Sequence, residues 1–147
     1  MFRFTLFVVG RLKNKALGQL CDDFSKRLAR QGSLQIIEFK DGRLDSESQR
    51  LRLAIEAKRD HEIFILAEEG RAYSSIKFAE KLQLHRGKPL LFIIGGAYGM
   101  DPALKQMGHH LLALSPLTFT HEMARYLLLE QLYRAVSIVQ GGKYHHE

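Results

Sequence analysis

The chain has 147 residues, 46% of them hydrophobic, enough for one domain with a buried core. No stretch approaches the roughly 20 apolar residues that a membrane-spanning helix needs, so a helical membrane protein is excluded. A formal net charge of +6 and a pI near 9.6 favour a polyanionic partner without deciding it, because acidic residues are interspersed with Lys and Arg in most segments.

Residues 3–10 read as a first strand. Arg11, Lys13 and Lys15 follow it without a small-residue cleavage site, which argues against a signal peptide. Leu17, Leu20, Cys21, Phe24 and Leu28 then recur at helical spacing, and Gly32 ends that helix. Cys21, the one cysteine, has no internal partner and falls on the apolar side of the helix, as expected of a core residue in a reducing cytoplasm. Residues 34–39 form a second strand. Ser46 and Gln49 have the form of a capping box for a helix running to about Lys58. A third strand over 63–67 is followed by a polar turn at 68–71. Ser74 or Ser75 caps a helix carrying Ile76, Ala79 and Leu82, which Gly87 and Pro89 stop.

Residues 90–94, five large apolar side chains without alternation, predict a parallel strand covered on both faces. Gly95, Gly96 and Gly99 follow, permitting positive φ and close approach of another group to the backbone. Asp101 and Pro102 suit the N-cap and first position of a short helix. Ligands of open α/β sheets bind at the carboxyl ends of strands, so this loop is the first candidate site. A fifth strand over 111–114 and a long helix over about 121–140 complete one α/β domain with a mostly parallel sheet. Two further segments could border the same pocket: residues 66–70, and the apolar but irregular stretch Leu114, Ser115, Pro116, Leu117, Thr118 and Phe119.

The last helix carries two apolar stripes: Ala124, Leu127, Leu128, Leu132, Ala135 and Val139 on one, Tyr126, Leu129, Tyr133 and Val136 on the other. One can cover the sheet. The second predicts a homodimer in which the same helix of another subunit covers it. Glu130 and Arg134 read as a surface i, i+4 pair.

Taken together, Ile-Gly-Gly-x-x-Gly at 94–99, Leu-Ser-x-Leu-Thr-Phe at 114–119, His121, Arg125, Glu-Gln-Leu-Tyr-Arg-Ala at 130–135 and the terminal Tyr144-His145 resemble the RlmH family over the full length. These SPOUT-class methyltransferases use S-adenosylmethionine to methylate N3 of a pseudouridine in large-subunit ribosomal RNA. The resemblance implies an α/β SPOUT fold with a C-terminal trefoil knot, a cytoplasmic homodimer and a ribosomal RNA partner, with neither membrane nor metal. By itself, the rule against threaded chains would predict an ordinary flavodoxin-like sheet. The resemblance further implies that Leu66, Gly95, Gly96, Gly99 and residues 114–119 hold the cofactor, and that Tyr144, His145, His146 and Arg125 serve catalysis. The cofactor region would span about 63–140 and a flexible catalytic tail 141–147. Two positions depart from the family pattern: Thr120 stands where a proline is common, and His146 where an Arg or Lys is common. Thr120 is a good helix cap, whereas the charge of His146 depends on its surroundings.

Methyl transfer to an imide nitrogen needs an in-line approach and a group that stabilises the developing anion, but no metal or covalent nucleophile. Gly-Gly-x-x-Gly is not the dinucleotide fingerprint, and the adjacent histidines at 109–110 and 145–146 lack metal-binding helix spacing, so they read as solvated or RNA-facing. A non-catalytic RNA-binding α/β protein would fit the charge but leave the glycine loop without a task.

Overall fold

The computed structural model describes residues 1–146, and Glu147, the last residue of the predicted tail, lies outside them. Five parallel strands form one sheet: β1 (Arg3–Val9), β2 (Ser33–Phe39), β3 (Glu62–Ala72), β4 (Leu90–Ile94) and β5 (His110–Ala113). Their order is β2-β1-β4-β3-β5. A flavodoxin-like sheet runs 2-1-3-4-5, so β3 and β4 have exchanged places relative to that expectation. The connections leaving β3 and β4 run to opposite sides, which makes β3 the point where the winding reverses.

Three helices, α1 (Lys15–Gln31), α3 (Ser75–Leu84) and α5 (His121–Val139), cover one face; α2 (Leu44–Glu56) and the short α4 (Pro102–Lys105) cover the other. Alternation along the strands sorts the two cores. Phe4, Leu6, Phe64 and Phe92 point to the first layer with Phe24, Leu28, Phe78, Leu82 and Leu132, while Phe7, Ile63, Ile65 and Ile93 meet Leu51, Ile55 and Leu104 in the second. Every residue of β4 is buried, as its unbroken apolar run requires. Cys21 is buried in the first layer, where burial pushes its thiol up.

Asn14, Ser74, Asp101 and Thr120 cap α1, α3, α4 and α5 through their side chains. The capping box expected at Ser46 does not form. Helix α2 begins three residues earlier, behind Arg43, so Ser46 already lies in its first turn and its hydroxyl donates to the Arg43 carbonyl at 3.1 Å. The turn expected at 68–71 is part of β3. Leu66 and Arg71 both pair with Leu112, so residues 67–70 bulge out of the ladder and pairing then resumes. The bulge needs Gly70, since a Cβ there would lie 2.7 Å from the Leu111 carbonyl carbon.

The reading of α5 is corrected in the same way. No residue of this helix is exposed, because it lies between α1 and α3. The second stripe is covered within the chain: Leu129 and Val136 are buried, and Tyr126 and Tyr133 each lie 5.9 Å, ring to ring, from Phe24 of α1. The second stripe therefore does not by itself require a second subunit. Among the described residues, no helix is long and apolar enough to cross a membrane.

Candidate functional site

At the carboxyl end of the sheet, around the reversal at β3, lies an open pocket. Four segments build it. The β3 bulge brings Leu66, Ala67, Glu68 and Glu69, and the end of β4 brings Ile94, Gly95, Gly96, Gly99 and Met100. The segment after β5 brings Leu114, Ser115, Leu117 and Phe119, and the start of α5 brings His121 and Ala124. The three stretches singled out in the sequence thus converge. Pro116 and Thr118 are exposed and lie outside the lining.

The glycines differ in what they supply. Gly99 alone of the three has positive φ, at +79°. Gly95 and Gly96 are required by space. A Cβ on Gly95 would lie 2.9 Å from the Gly99 carbonyl oxygen, and one on Gly96 would lie 2.9 Å from Glu47 Oε1. The loop is closed on itself by the Gly99 amide, which donates to the Gly96 carbonyl at 3.0 Å. Asp101 anchors its exit. Its carboxylate accepts from the Leu104 amide at 2.8 Å and from Arg52 at 2.7 Å, and these two donors hold it below the usual carboxylate range.

The walls combine apolar surface from Leu66, Ile94, Leu112, Leu114, Leu117 and Phe119 with carboxylates on one lip. Lys105 Nζ donates to Glu69 Oε1 at 2.6 Å, and this bond holds the Glu69 carboxyl down. Glu68 and Glu69 lie in the 66–70 segment expected to border the pocket, and Met100 directly follows the glycine loop. Lys105 and Ala124 were not singled out as site residues in the sequence, and they reach the pocket only through long-range packing.

Arg125 is buried one residue beyond the pocket wall. It donates to Glu38 Oε2 at 2.8 Å and to the Gly10 carbonyl at 2.9 Å, tying the start of α5 to the ends of β1 and β2. This geometry positions His121 and Ala124.

The tail lies elsewhere on the chain. The Tyr144 ring packs 5.0 Å from that of Tyr133 and 6.3 Å from that of Phe24, and its hydroxyl donates to Glu130 Oε1 at 3.0 Å. Burial and the adjacent Glu130 carboxylate push the phenol up to about 12, so it is a hydrogen-bond donor at neutral pH. Arg134 bonds Glu130, approaches His145 Nδ1 at 3.0 Å and lies over the Tyr144 ring. The expected surface pair of Glu130 and Arg134 is therefore a half-buried hub for the tail. His146 is exposed. About 14 Å of helix separates Tyr133 from Ala124, so the tail does not close the pocket of its own chain.

This fold and pocket define a parallel α/β protein that takes a small ligand at the carboxyl end of its sheet. A family model described as "Predicted SPOUT methyltransferase" matches residues 2–145. A protein of Prochlorococcus marinus (strain MIT 9211) named ribosomal RNA large subunit methyltransferase H is 41% identical over 143 residues, covering 97% of this chain and 95% of its own. One of the same name from Synechococcus sp. (strain RCC307) is 42% identical over 97% of this chain and 94% of its own. The solved structure of a probable methylase family protein from Haemophilus influenzae Rd KW20 has a similar fold, with a TM-score of 0.58 at 15% identity over 99% of this chain and 70% of its own. The chain belongs to the SPOUT methyltransferase family, in the branch of the ribosomal RNA large subunit methyltransferase H proteins.

Proposed function

We propose that this protein is a homodimeric enzyme that transfers a methyl group from S-adenosylmethionine to N3 of a pseudouridine in large-subunit ribosomal RNA, acting on assembled particles. The observation that carries the reading is the convergence of the glycine loop, the β3 bulge and residues 114–119 on one pocket, in a chain whose relatives are named as methyltransferases of that RNA. The pocket suits the cofactor chemically. Apolar walls take the faces of an adenine ring, loop amides its edges, and the Glu68 and Glu69 carboxylates complement a cationic ligand, with Lys105 placed for a carboxylate. The bound cofactor supplies an electrophilic methyl on a sulfonium. The trefoil knot implied by the resemblance belongs to the same proposal.

The protein's own residues then have to orient the base and stabilise its imide anion. Tyr144 serves as a donor to that anion and not as a base, because its phenol stays protonated. His145 is oriented by Arg134, and His146 presents an exposed imidazole. Arg125 acts at one remove, by holding the start of α5. Since the tail lies against the distal half of α5, it is placed to serve the pocket of a second subunit, and each active site is shared. Leu117 and Phe119, 72% and 36% exposed at the pocket rim, supply apolar surface for that contact.

Complementation tests both the reaction and the sharing. A subunit with Gly95→Val binds no cofactor, and one lacking 144–147 has no tail. Each is expected to be inactive on ribosomal particles, while a 1:1 mixture regains roughly a quarter of wild-type activity, from one working site in the half of the dimers that are mixed. The product should be a pseudouridine methylated at N3. Verified mixed dimers without activity would overturn the shared site, and wild-type protein that transfers no methyl group would favour a non-catalytic RNA-binding role.

A further inference from the structure

At the opposite end of the sheet the fold gathers a group of side chains that methyl transfer does not use. Glu62 opens β3, His110 opens β5 and His85 caps the carboxyl end of α3. Four residues of strand, about 13 Å, separate Glu62 from the nearest pocket residue on the same strand, Leu66. His110 Nε2 lies 3.0 Å from Glu62 Oε1, and His85 Nδ1 lies 3.6 Å from Glu62 Oε2. One donor atom from each residue falls within a sphere of contacts no wider than 4.8 Å. Donors bound to one tetrahedral zinc at about 2.05 Å are themselves about 3.3 Å apart, so these spacings need little adjustment.

We propose that Glu62, His85 and His110 form a binding site for a divalent transition cation of the zinc class, which cross-links β3, β5 and α3. Two imidazoles and a carboxylate are the donor set such ions favour over calcium or magnesium. The surroundings prepare these donors. The His110 ring is fixed by stacking on Phe64, 4.4 Å between centroids. The carboxyl end of α3 also favours a cation.

His109 is not a ligand through its nearer nitrogen, because Nδ1 accepts from the Ile63 amide at 2.9 Å. Lys88 Nζ, 3.0 Å from Glu62 Oε2, supplies the positive charge that balances the carboxylate when no metal is present. An incoming cation displaces this ammonium into solvent, and the proton that His110 shares with Glu62 moves to the other ring nitrogen. The site is structural and independent of the methyl-transfer reading.

The test is equilibrium dialysis of the full chain against micromolar Zn²⁺, with bound zinc and the thermal midpoint read together. Wild type is expected to hold one zinc per chain and to melt higher with it. His85→Gln and His110→Gln, checked for folding by their midpoints without zinc, should weaken binding by ~10-fold or more and lose the thermal shift. Lys88→Met should tighten binding, since it removes the competing ammonium. His145→Gln with His146→Gln should leave the stoichiometry unchanged. Zinc uptake that is absent in wild type, or equal in the folded His85 and His110 variants, would overturn the site, as would zinc held only by the tail histidines.

Discussion

Gly95→Ala is the smallest change that probes the pocket. The added methyl would lie 2.9 Å from the Gly99 carbonyl oxygen and 2.9 Å from Met100 Cγ. Carbon contacts are optimal near 3.5–4.0 Å, so each neighbour must retreat by roughly 0.6–1 Å. Met100 can swing away, but the Gly99 carbonyl belongs to a loop closed by the bond from the Gly99 amide to the Gly96 carbonyl. The loop itself must therefore shift. Overpacking of this size costs about 1–3 kcal/mol, which for a chain of this length lowers the melting temperature by roughly 3–10 °C. Displacement of the loop by up to ~1 Å should weaken S-adenosylmethionine about 100-fold, by analogy with the penalty for misplaced catalytic groups. Calorimetric titration of the folded variant measures the affinity, and circular dichroism reports the sheet. Gly87→Ala is the control, because nothing lies within 4 Å of a Cβ there. Wild-type affinity and midpoint in Gly95→Ala would refute both the contact argument and the assignment of the loop.

Tyr144→Phe keeps the packing on Phe24 and Tyr133 but removes the bond to Glu130. We expect a loss of about 1 kcal/mol in urea unfolding and the disappearance of the tyrosine that titrates near pH 12 in absorbance, and an unchanged titration would refute the burial argument. Because the folded pKa is raised, that stabilisation is complete below pH 10 and lost as pH rises toward 12. Arg125→Met strands the Gly10 carbonyl and should destabilise by about 1–3 kcal/mol, with Arg125→Lys failing to restore both bonds. Equal stability of wild type and Arg125→Met in urea would show that the two bonds contribute nothing. The Glu62 carboxyl is depressed by its partners, so its contribution is present above its ordinary value of 4.5 and lost as pH falls below it. Glu62→Gln should accordingly be less stable than wild type at pH 7 and equal to it in strong acid, which melting curves across pH would decide.

What the sequence disclosed depended on whether the signal was local. The apolar run of β4, the caps at Ser74 and Asp101 and the glycines after β4 are short-range patterns, and the structure reproduces them. The exchange of β3 and β4 in the sheet is set by which strands meet, and nothing within either strand encodes it. Glu68 to Gly70 looked like a turn because a polar bulge and a polar turn have the same composition. The second stripe of α5 was assigned to another subunit because apolar periodicity reports that a face is covered, not by what. The grouping of Glu62 with His85 and His110 joins three distant segments, and their spacing along the chain carries no trace of it. In the pocket, the backbone walls were legible from strand ends, whereas Lys105 and Ala124 depend on how α4 and α5 dock.

The place of α5 between α1 and α3 has a consequence for biosynthesis. The helix that fills the middle of its layer is made after every strand it covers, so until it emerges α1 and α3 flank an empty groove and Phe64, Phe92 and Leu6 face water. That face of the sheet closes only once α5 has emerged. Folding should then wait for α5 and be limited by the long-range docking of that one helix. Nascent chains stalled short of α5 would expose this surface, and chaperones that hold apolar segments should bind them in preference to the finished protein.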